Sequence, residues 1–600
     1  MDAKPRSLKD IFDTQCRYMV PLYQRPYVWK EDEQWKPLWE DIQALAERYA
    51  RQDAFRPHFM GAVVLEQLNT ATGTLDLRQI IDGQQRFTTL QIVIEAACDV
   101  CEALGSIAES HAHALRRLTR NDPRGDDLGE VFKIWPTNVD REHFQRVMKA
   151  GSPVELRQYY NGKFEVGYAI ADAYFFFHQK ITEWLSPGDD GLLKKRLDAL
   201  QNAFYRGMMM VVIDLGENDD PQIIFETLNA RGTPLLASDL VKNYLLHQAE
   251  ERGHDLDRLY AQYWESFDAT HFWREVVRTG RFKRPHIEVF LQHYLTLLTK
   301  DEVLVTVLFN IFRQYVKEHP EIDITYYLAE LRRYGQIYHQ FYSYPTDNPE
   351  GLFFKRIEAL DTTTVFPLLL HIFDKLGKPE QAKQRQSILT DLESFLVRRM
   401  LCELTTKNYN NLFLEARKLL VDVIPEQFGS TLRAYLLSQT SDIGRWPDDK
   451  EFQEAWLKFE AYKRLKPLAR LRMILEALEL HRRSSDLTEN PSLPNKTLSI
   501  EHILPRGWAA NWPLSENTPE AKEAREALIH TIGNLTLVTK SLNSTLSNDP
   551  WLKKRKTLLG STVLLLNSDL QDEEEWNEAR IKARGKELFN LAKKIWPLPR

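Results

Sequence analysis

The stretch Ile80-Ile81-Asp82-Gly83-Gln84-Gln85-Arg86-Phe87-Thr88-Thr89-Leu90 decides how the first part of this chain is read. Two β-branched residues run into Asp-Gly, a turn signal, because glycine takes a positive φ at no steric cost. Beyond the turn, Leu90, Val93, Ile94 and Ala97 recur at helical spacing. The polar cluster therefore falls where a strand ends and a helix begins. The first N–H groups of a helix are unpaired and partly positive, so an anion can dock there. Gln84 and Gln85 add amide donors, and Arg86 adds a planar fork that matches phosphate. These residues predict a phosphate or nucleotide pocket that is not a P-loop, since no G-x-x-x-x-G-K-[ST] occurs in the chain. Asp82 would repel phosphate and is better suited to hold water, a metal or Arg25. A polar turn closed by a surface salt bridge is the competing reading.

Two further stretches share this character. Val20-Pro21-Leu22-Tyr23-Gln24-Arg25-Pro26-Tyr27-Val28-Trp29 is aromatic, polar and broken by proline, so it reads as a loop or strand edge. Core packing accounts for Tyr27 and Trp29, but an apolar core has no use for Gln24-Arg25. Phe59-Met60-Gly61-Ala62-Val63-Val64 follows it. Later, Asn218-Asp219-Asp220-Pro221 predicts a helix start, and Arg231-Gly232 its end. Glu226, Asn229, Arg231, Asp239 and Lys242 could close the same pocket, or serve only as caps and turns. The three stretches in this order resemble the DUF262 family, a ParB-like domain of modification-dependent restriction systems. The resemblance implies an α/β domain over 1–245 that binds a nucleoside triphosphate, GTP or ATP, and senses modification. It implies Tyr23, Gln24, Arg25, Asp82, Gly83, Gln84, Gln85, Arg86, Asn229 and Arg231 as nucleotide contacts, with Asp82 serving hydrolysis.

Composition bounds the rest. Six hundred residues imply several domains. A formal charge of −6 excludes a polybasic nucleic-acid binder, so DNA contacts must come from local patches. Four cysteines are no disulfide framework and fit a reducing cytoplasm. Cys98 and Cys101 form C-x-x-C without a second pair, and both fall on the helix after Asp-Gly, so they read as packing residues. The first residues lack the apolar run of a signal peptide. No apolar run, Met208 to Leu215 included, is long enough to span a bilayer.

Leu8, Ile11 and Phe12 predict a short helix, and Glu33 to Tyr49 an amphipathic one. Ala62–Glu66 and Leu77–Ile81 read as strands joined through Thr72-Gly73-Thr74. The continuous apolar run from Met208 to Leu215 predicts a buried strand. Residues 246–435 read as helical, with Arg398 and Arg399 either on DNA phosphates or on a solvated helix face. Arg482-Arg483-Ser484-Ser485-Asp486 through Lys496 reads as a loop within or before the last unit.

A second chemical centre opens at Ser499-Ile500-Glu501-His502-Ile503-Leu504-Pro505. Ile532-Gly533-Asn534-Leu535-Thr536-Leu537-Val538 and Ser541-Leu542-Asn543-Ser544 follow, then the basic run Lys553-Lys554-Arg555-Lys556. Hydrolysis of a phosphodiester needs a base for the water and a cation to absorb developing charge. His502, with an ordinary pKa near 6.5, can take the proton. Glu501 and Asn543 offer oxygens to a hard ion. Asn534 can fix the strand and orient His502, and the basic run suits DNA phosphates. These residues resemble the DUF1524 form of the HNH, or ββα-metal, nucleases, in which an Asn takes the place of the last His. The resemblance implies Mg²⁺, Mn²⁺ or a similar divalent ion on Glu501 and Asn543. No cysteine follows Cys402, so no structural zinc is expected.

The expected fold class is α+β, helix-rich and multidomain: a ParB-like α/β domain over 1–245, a helical middle over 246–435 and an HNH nuclease domain over 436–600. Together the motifs resemble fused type IV restriction endonucleases of the GmrSD and BrxU types. This implies an NTP-dependent or NTP-regulated enzyme that cuts modified phage DNA. Its implied partners are modified double-stranded DNA, a nucleoside triphosphate and a second copy in a homodimer, with no membrane. Two alternatives are a nucleotide-gated regulatory protein with an inactive nuclease and a nuclease toxin indifferent to modification. A nuclease assay with divalent metal separates the first, and comparison of modified with plain DNA the second.

Overall fold

The computed structural model describes residues 2–22, 24–53, 56–68, 70, 74–122, 131–163, 165–186, 189–216, 219, 236–280, 282–485, 493, 498–546 and 548–599. The fold is α+β and rich in helix, as the motifs imply. It divides into two compact units, one of residues 1–275 with 309–329, the other of 276–308 with 330–600. The expected helical middle, 246–435, is thus shared between them. Among the described residues no helix is long and apolar enough to cross a membrane.

The first unit is built on a six-stranded mixed sheet: β1 Asp2–Ser7, β2 Cys16–Met19, β3 His58–Gln67, β4 Asp76–Asp82, β5 Ile134–Trp135 and β6 Met208–Asp214, in the order β1-β6-β3-β4-β2-β5. β3 and β4 pair antiparallel, as predicted, while residues 71–73 of their connection lie outside the described residues. β1 was not expected, because Pro5 argues against a strand. It sits at the sheet edge, where a missing N–H does least harm, and pairs antiparallel with β6. β6 is the predicted strand, and its two faces are buried unequally. Met208, Met210 and Val212 enter the main core, whereas Met209, Val211 and Ile213 are half-buried on the other face. Ile213 there joins Val64, Ile81 and Leu240 in a smaller cluster.

Helix Gln84–Ala103 is the axis of this unit. Sixteen of its twenty residues are buried, so it carries no solvent stripe. Helices Glu109–Thr119 and Ala169–Leu185 pack along it. Cys98 and Cys101 are buried on it, the packing role the sequence predicts. Gly83 precedes the helix at φ +101°, and a Cβ there would stand 2.5 Å from Val63 Cγ1. The turn therefore requires glycine twice over, for conformation and for space.

The second unit is mainly helical, with two small antiparallel pairs, β7 Val276–Thr279 with β8 Phe282–Pro285, and β9 Leu498–His502 with β10 Leu535–Thr539. Arg398 and Arg399 are neither phosphate contacts nor a solvated face, because both side chains are fully buried. Arg398 donates to the Trp596 and Pro447 carbonyls and pairs with Asp449 at 2.7 Å. Arg399 donates to the carbonyls of Arg445, Thr405, Asp442 and Ile443. Each guanidinium satisfies irregular backbone that would otherwise be buried without partners. The expected loop at Arg482 also starts later, since helix Ala469–Ser485 runs through it and Arg483 is buried against Glu479.

Candidate functional site

Two centres emerge, one in each unit. In the first, β4 delivers Asp82 to the Gly83 turn beside residues 24–28. Gln24 is buried, and its Nε2 donates to the Ile80 and Ile81 carbonyls at 2.6 and 3.0 Å. Gln84 Nε2 donates to the Arg25 carbonyl at 2.8 Å. Gln85 donates to the Pro26 carbonyl at 3.1 Å and accepts from Val28 N–H at 2.9 Å. Arg86 donates to the Ala62 carbonyl and stands 3.7 Å from Asp82. This corrects the expectation that Gln84, Gln85 and Arg86 present their side chains to phosphate. The irregular segment from Gln24 to Val28 has backbone groups that need partners, which Gln84 and Gln85 supply, while Arg86 serves the Ala62 carbonyl on β3.

What remains for an anion is the uncapped start of helix Gln84–Ala103 and Arg25. Burial lowers the Arg25 pKa, and Asp239 and Asp82 stand close enough to oppose that. The structure joins Asp239 and Lys242, which the sequence offered, to Asp268 and Arg274, which no motif announced. Lys242 is buried and reaches Asp268 at 3.0 Å and the Gln24 carbonyl at 3.3 Å. Arg274 bridges Asp268 at 2.9 Å and Asp239 at 3.2 Å. Asp239 and Lys242 therefore belong to a buried charge network. Asp268 and Arg274 were illegible in the sequence, being ordinary charges on short helical turns. Tyr23, Glu226, Asn229 and Arg231 lie outside the described residues.

The second centre is a strand–strand–helix arrangement. β9 ends at His502, and β10 runs antiparallel with Leu535 opposite His502 and Thr536 opposite Glu501. Helix Lys540–Leu546, carrying a half-buried Asn543, packs on both strands. Asn534 is fully buried and uses every valence of its amide. Its Oδ1 accepts from Leu504 N–H at 2.8 Å and Trp576 Nε1–H at 3.0 Å. Its Nδ2 donates to the Leu504 and Ile529 carbonyls, each at 2.9 Å. Such an amide has nothing left for substrate. Asn534 is therefore a positioning residue that clamps the chain just after His502.

His502 is buried, with Nε2 3.2 Å from His530 Nδ1. Tyr462 packs edge-on to His502 at 4.4 Å and lies nearly parallel to the His530 ring, at 20°. Burial, then the neighbouring His530, Arg506 and Lys554, push the His502 pKa down to about 3. It is thus a neutral imidazole at ordinary pH, with one ring nitrogen unprotonated, and the same shift makes it a weak base. His530 was not among the predicted residues. It lies 28 residues from His502 in sequence, just after a helix end, and nothing in its spacing marks it.

The basic run does not present four charges to solvent. Lys554 is buried, 2.6 Å from Glu501 Oε1 and 2.7 Å from the His502 carbonyl. It is a buried counter-ion of Glu501, which corrects its assignment to DNA. The helical turn of Trp551–Ser561 points it inward. Arg555 donates to the Glu573 carbonyl at 2.5 Å, and exposed Lys553 stands 3.2 Å from Asp549. Lys556 is exposed. Among the described residues no group of three or more His, Cys, Asp or Glu converges as a metal cage. The donor set still fits a hard ion of the Mg²⁺ kind, which takes one or two protein oxygens and keeps water and substrate phosphate for the rest. Glu501 and Asn543 are the residues that would hold it.

Comparison with protein families decides the assignment. The model of the GmrSD restriction endonuclease N-terminal domain matches residues 8–246, and that of the GmrSD restriction endonuclease C-terminal domain matches 446–591. The chain belongs to the GmrSD restriction endonuclease family. Both GmrSD domains stand in one polypeptide; the second contains the His502 centre, and the first contains the Asp82 centre apart from Asp268 and Arg274. The GmrSD assignment makes the chain a restriction endonuclease of type IV, an enzyme acting on DNA. No curated protein matches the chain.

Proposed function

We propose that the chain is an NTP-regulated type IV restriction endonuclease that cleaves modified DNA at a metal-dependent HNH centre around His502. The observation that carries the reading is the clamped, neutral His502, flanked by Glu501 on its strand and by Asn534 behind it. His502 takes the proton of the attacking water as the new P–O bond forms. His530 holds the imidazole, and Asn534 holds the chain that carries it. Lys554 keeps Glu501 oriented through one oxygen, which leaves the other for a divalent ion. When bound, that ion would stabilise charge on the phosphate and the leaving oxygen. One such centre nicks one strand, so two copies in a homodimer would cut both.

The first centre would take the nucleotide. Its phosphates would face the uncapped helix start and Arg25, with Asp82 and Asp239 serving water or a cation. Three functional parts are retained in this reading: sensing over 1–245, transmission over 246–435 and cleavage over 436–600.

The test is a panel of plain, methylated, hydroxymethylated and glucosylated duplexes, assayed with and without Mg²⁺, GTP and ATP. Cleavage should require the metal and a modified substrate and should respond to nucleotide. His502→Ala should lose about 10²–10⁴-fold in cleavage rate while binding DNA as before. Wild-type cleavage by that variant would refute the assignment of the base.

A further inference from the structure

β7 and β8 form a two-stranded antiparallel ribbon that neither family match covers. From Val276 to Pro285 it carries Arg278, Arg281, Lys283 and Arg284 and no acidic residue, in a chain of net charge −6. The register sets Arg278 opposite Lys283 and Val276 opposite Pro285, so alternation places these four on one face. Arg278 and Lys283 are exposed, and Val276 is 59% exposed.

The ribbon is anchored away from that face. Gly280 N–H at the tip donates to Asp361 Oδ1 at 3.2 Å. Arg284, on the opposite face, stands 3.5 Å from Glu288 and 5.5 Å from the Phe282 ring. Among the described residues Arg278 bonds through its Nε, to the Gly280 carbonyl at 3.0 Å. Like charges directly opposite each other destabilise a ribbon, and no acid within this one offsets them. An anion laid across Arg278 and Lys283 removes that repulsion.

We propose that this ribbon is a DNA-binding element, with Arg278 and Lys283 on successive backbone phosphates. A two-stranded ribbon has the width that the major groove admits, and phosphate contacts of this kind position a protein without reading sequence. The inference rests on the reading that DNA is the substrate, and adds a contact surface remote in sequence from the His502 centre.

The experiment measures binding of the full chain to a fluorescent DNA duplex over a salt series, in EDTA so that nothing is cut. Reversing both charges together, Arg278→Glu with Lys283→Glu, should weaken binding and flatten the log–log salt slope by about 1.8, from two lost phosphate contacts. Arg278→Lys should keep the slope. Thermal unfolding should be unchanged in both variants, because the side chains are exposed. An unchanged slope in the charge-reversed protein overturns the proposal and leaves the His502 reading standing. Tighter binding to an RNA duplex of the same sequence overturns the choice of DNA. A wild-type chain that binds no duplex overturns both readings.

Discussion

His530 is the residue whose role the structure adds. A neutral imidazole offers one donor and one acceptor, so the 3.2 Å bond to His502 couples the tautomers of the two rings. If His530 Nδ1 accepts, His502 holds its proton on Nε2 and keeps the Nδ1 lone pair for water. His530→Ala should therefore slow cleavage by about 10²-fold, the scale of a misplaced reacting group, with DNA affinity unchanged. His530→Gln retains an acceptor and should recover most of the rate. Nitrogen NMR of the labelled protein should show a single His502 tautomer in wild type and a mixture in the alanine variant. Equal rates for all three proteins would reduce His530 to packing. At this scale the sequence showed local placement well: Asp82 ends β4, His502 ends β9 and Asn534 directly precedes β10. It could not show partners that meet only in three dimensions. His530, Asp268 and Arg274 are of that kind. So is Lys554, whose inward direction depends on the phase of a helix and not on the run of charge around it.

Gly533 shows how an element is fitted to its neighbour. A Cβ at this position would lie 2.3 Å from the Ile581 carbonyl oxygen and 3.1 Å from Gly585 N, both backbone atoms of helix Glu578–Ile595. Backbone cannot turn aside as a side chain can, so helix and loop must separate. Gly533→Ala should destabilise the second unit by about 1–3 kcal/mol or more. A lower midpoint of thermal unfolding, with loss of cleavage in step, is the expected outcome. An unchanged midpoint would refute the close approach. Elements with strong local chemistry were legible, such as the strand-turn-helix at Asp82-Gly83 and the β9–β10 pair. Elements defined by tertiary pairing were not. β1 contains a proline that argues against a strand, yet it is hydrogen-bonded along the edge of the sheet. The β7–β8 ribbon has only a single Gly280 to mark its turn, amid charges that read as a solvated helix.

Across the molecule, buried charge sets a pH dependence. Asp99, on the central helix of the first unit, is buried; it accepts from Tyr174 O–H at 2.6 Å and lies 3.7 Å from Arg116. Burial, then repulsion from Glu95, push its pKa from 3.8 up to about 7. A carboxyl raised in the folded state contributes stability that is fully present below 3.8 and is lost as pH rises through 7. Asp99→Asn keeps an acceptor for Tyr174 and removes the titration. It should unfold at a higher temperature than wild type at pH 8, with the gap narrowing as pH falls below 7 and closing only below 3.8. A gap independent of pH would place the proton elsewhere. The second unit carries a different constraint. Its helix Ala382–Leu401 is joined to residues near 597: Ser394 O–H donates to the Pro597 carbonyl at 2.6 Å, Arg398 Nε to the Trp596 carbonyl at 2.8 Å, and Trp596 Nε1–H to Glu393 at 2.7 Å. On a ribosome adding about 5–20 residues per second, roughly 15–60 s separate β7 from these closing contacts. Ser394 and Glu393 thus wait for partners 203 residues further along the chain, so this helix completes its hydrogen bonds only after nearly all of the second unit has been synthesised.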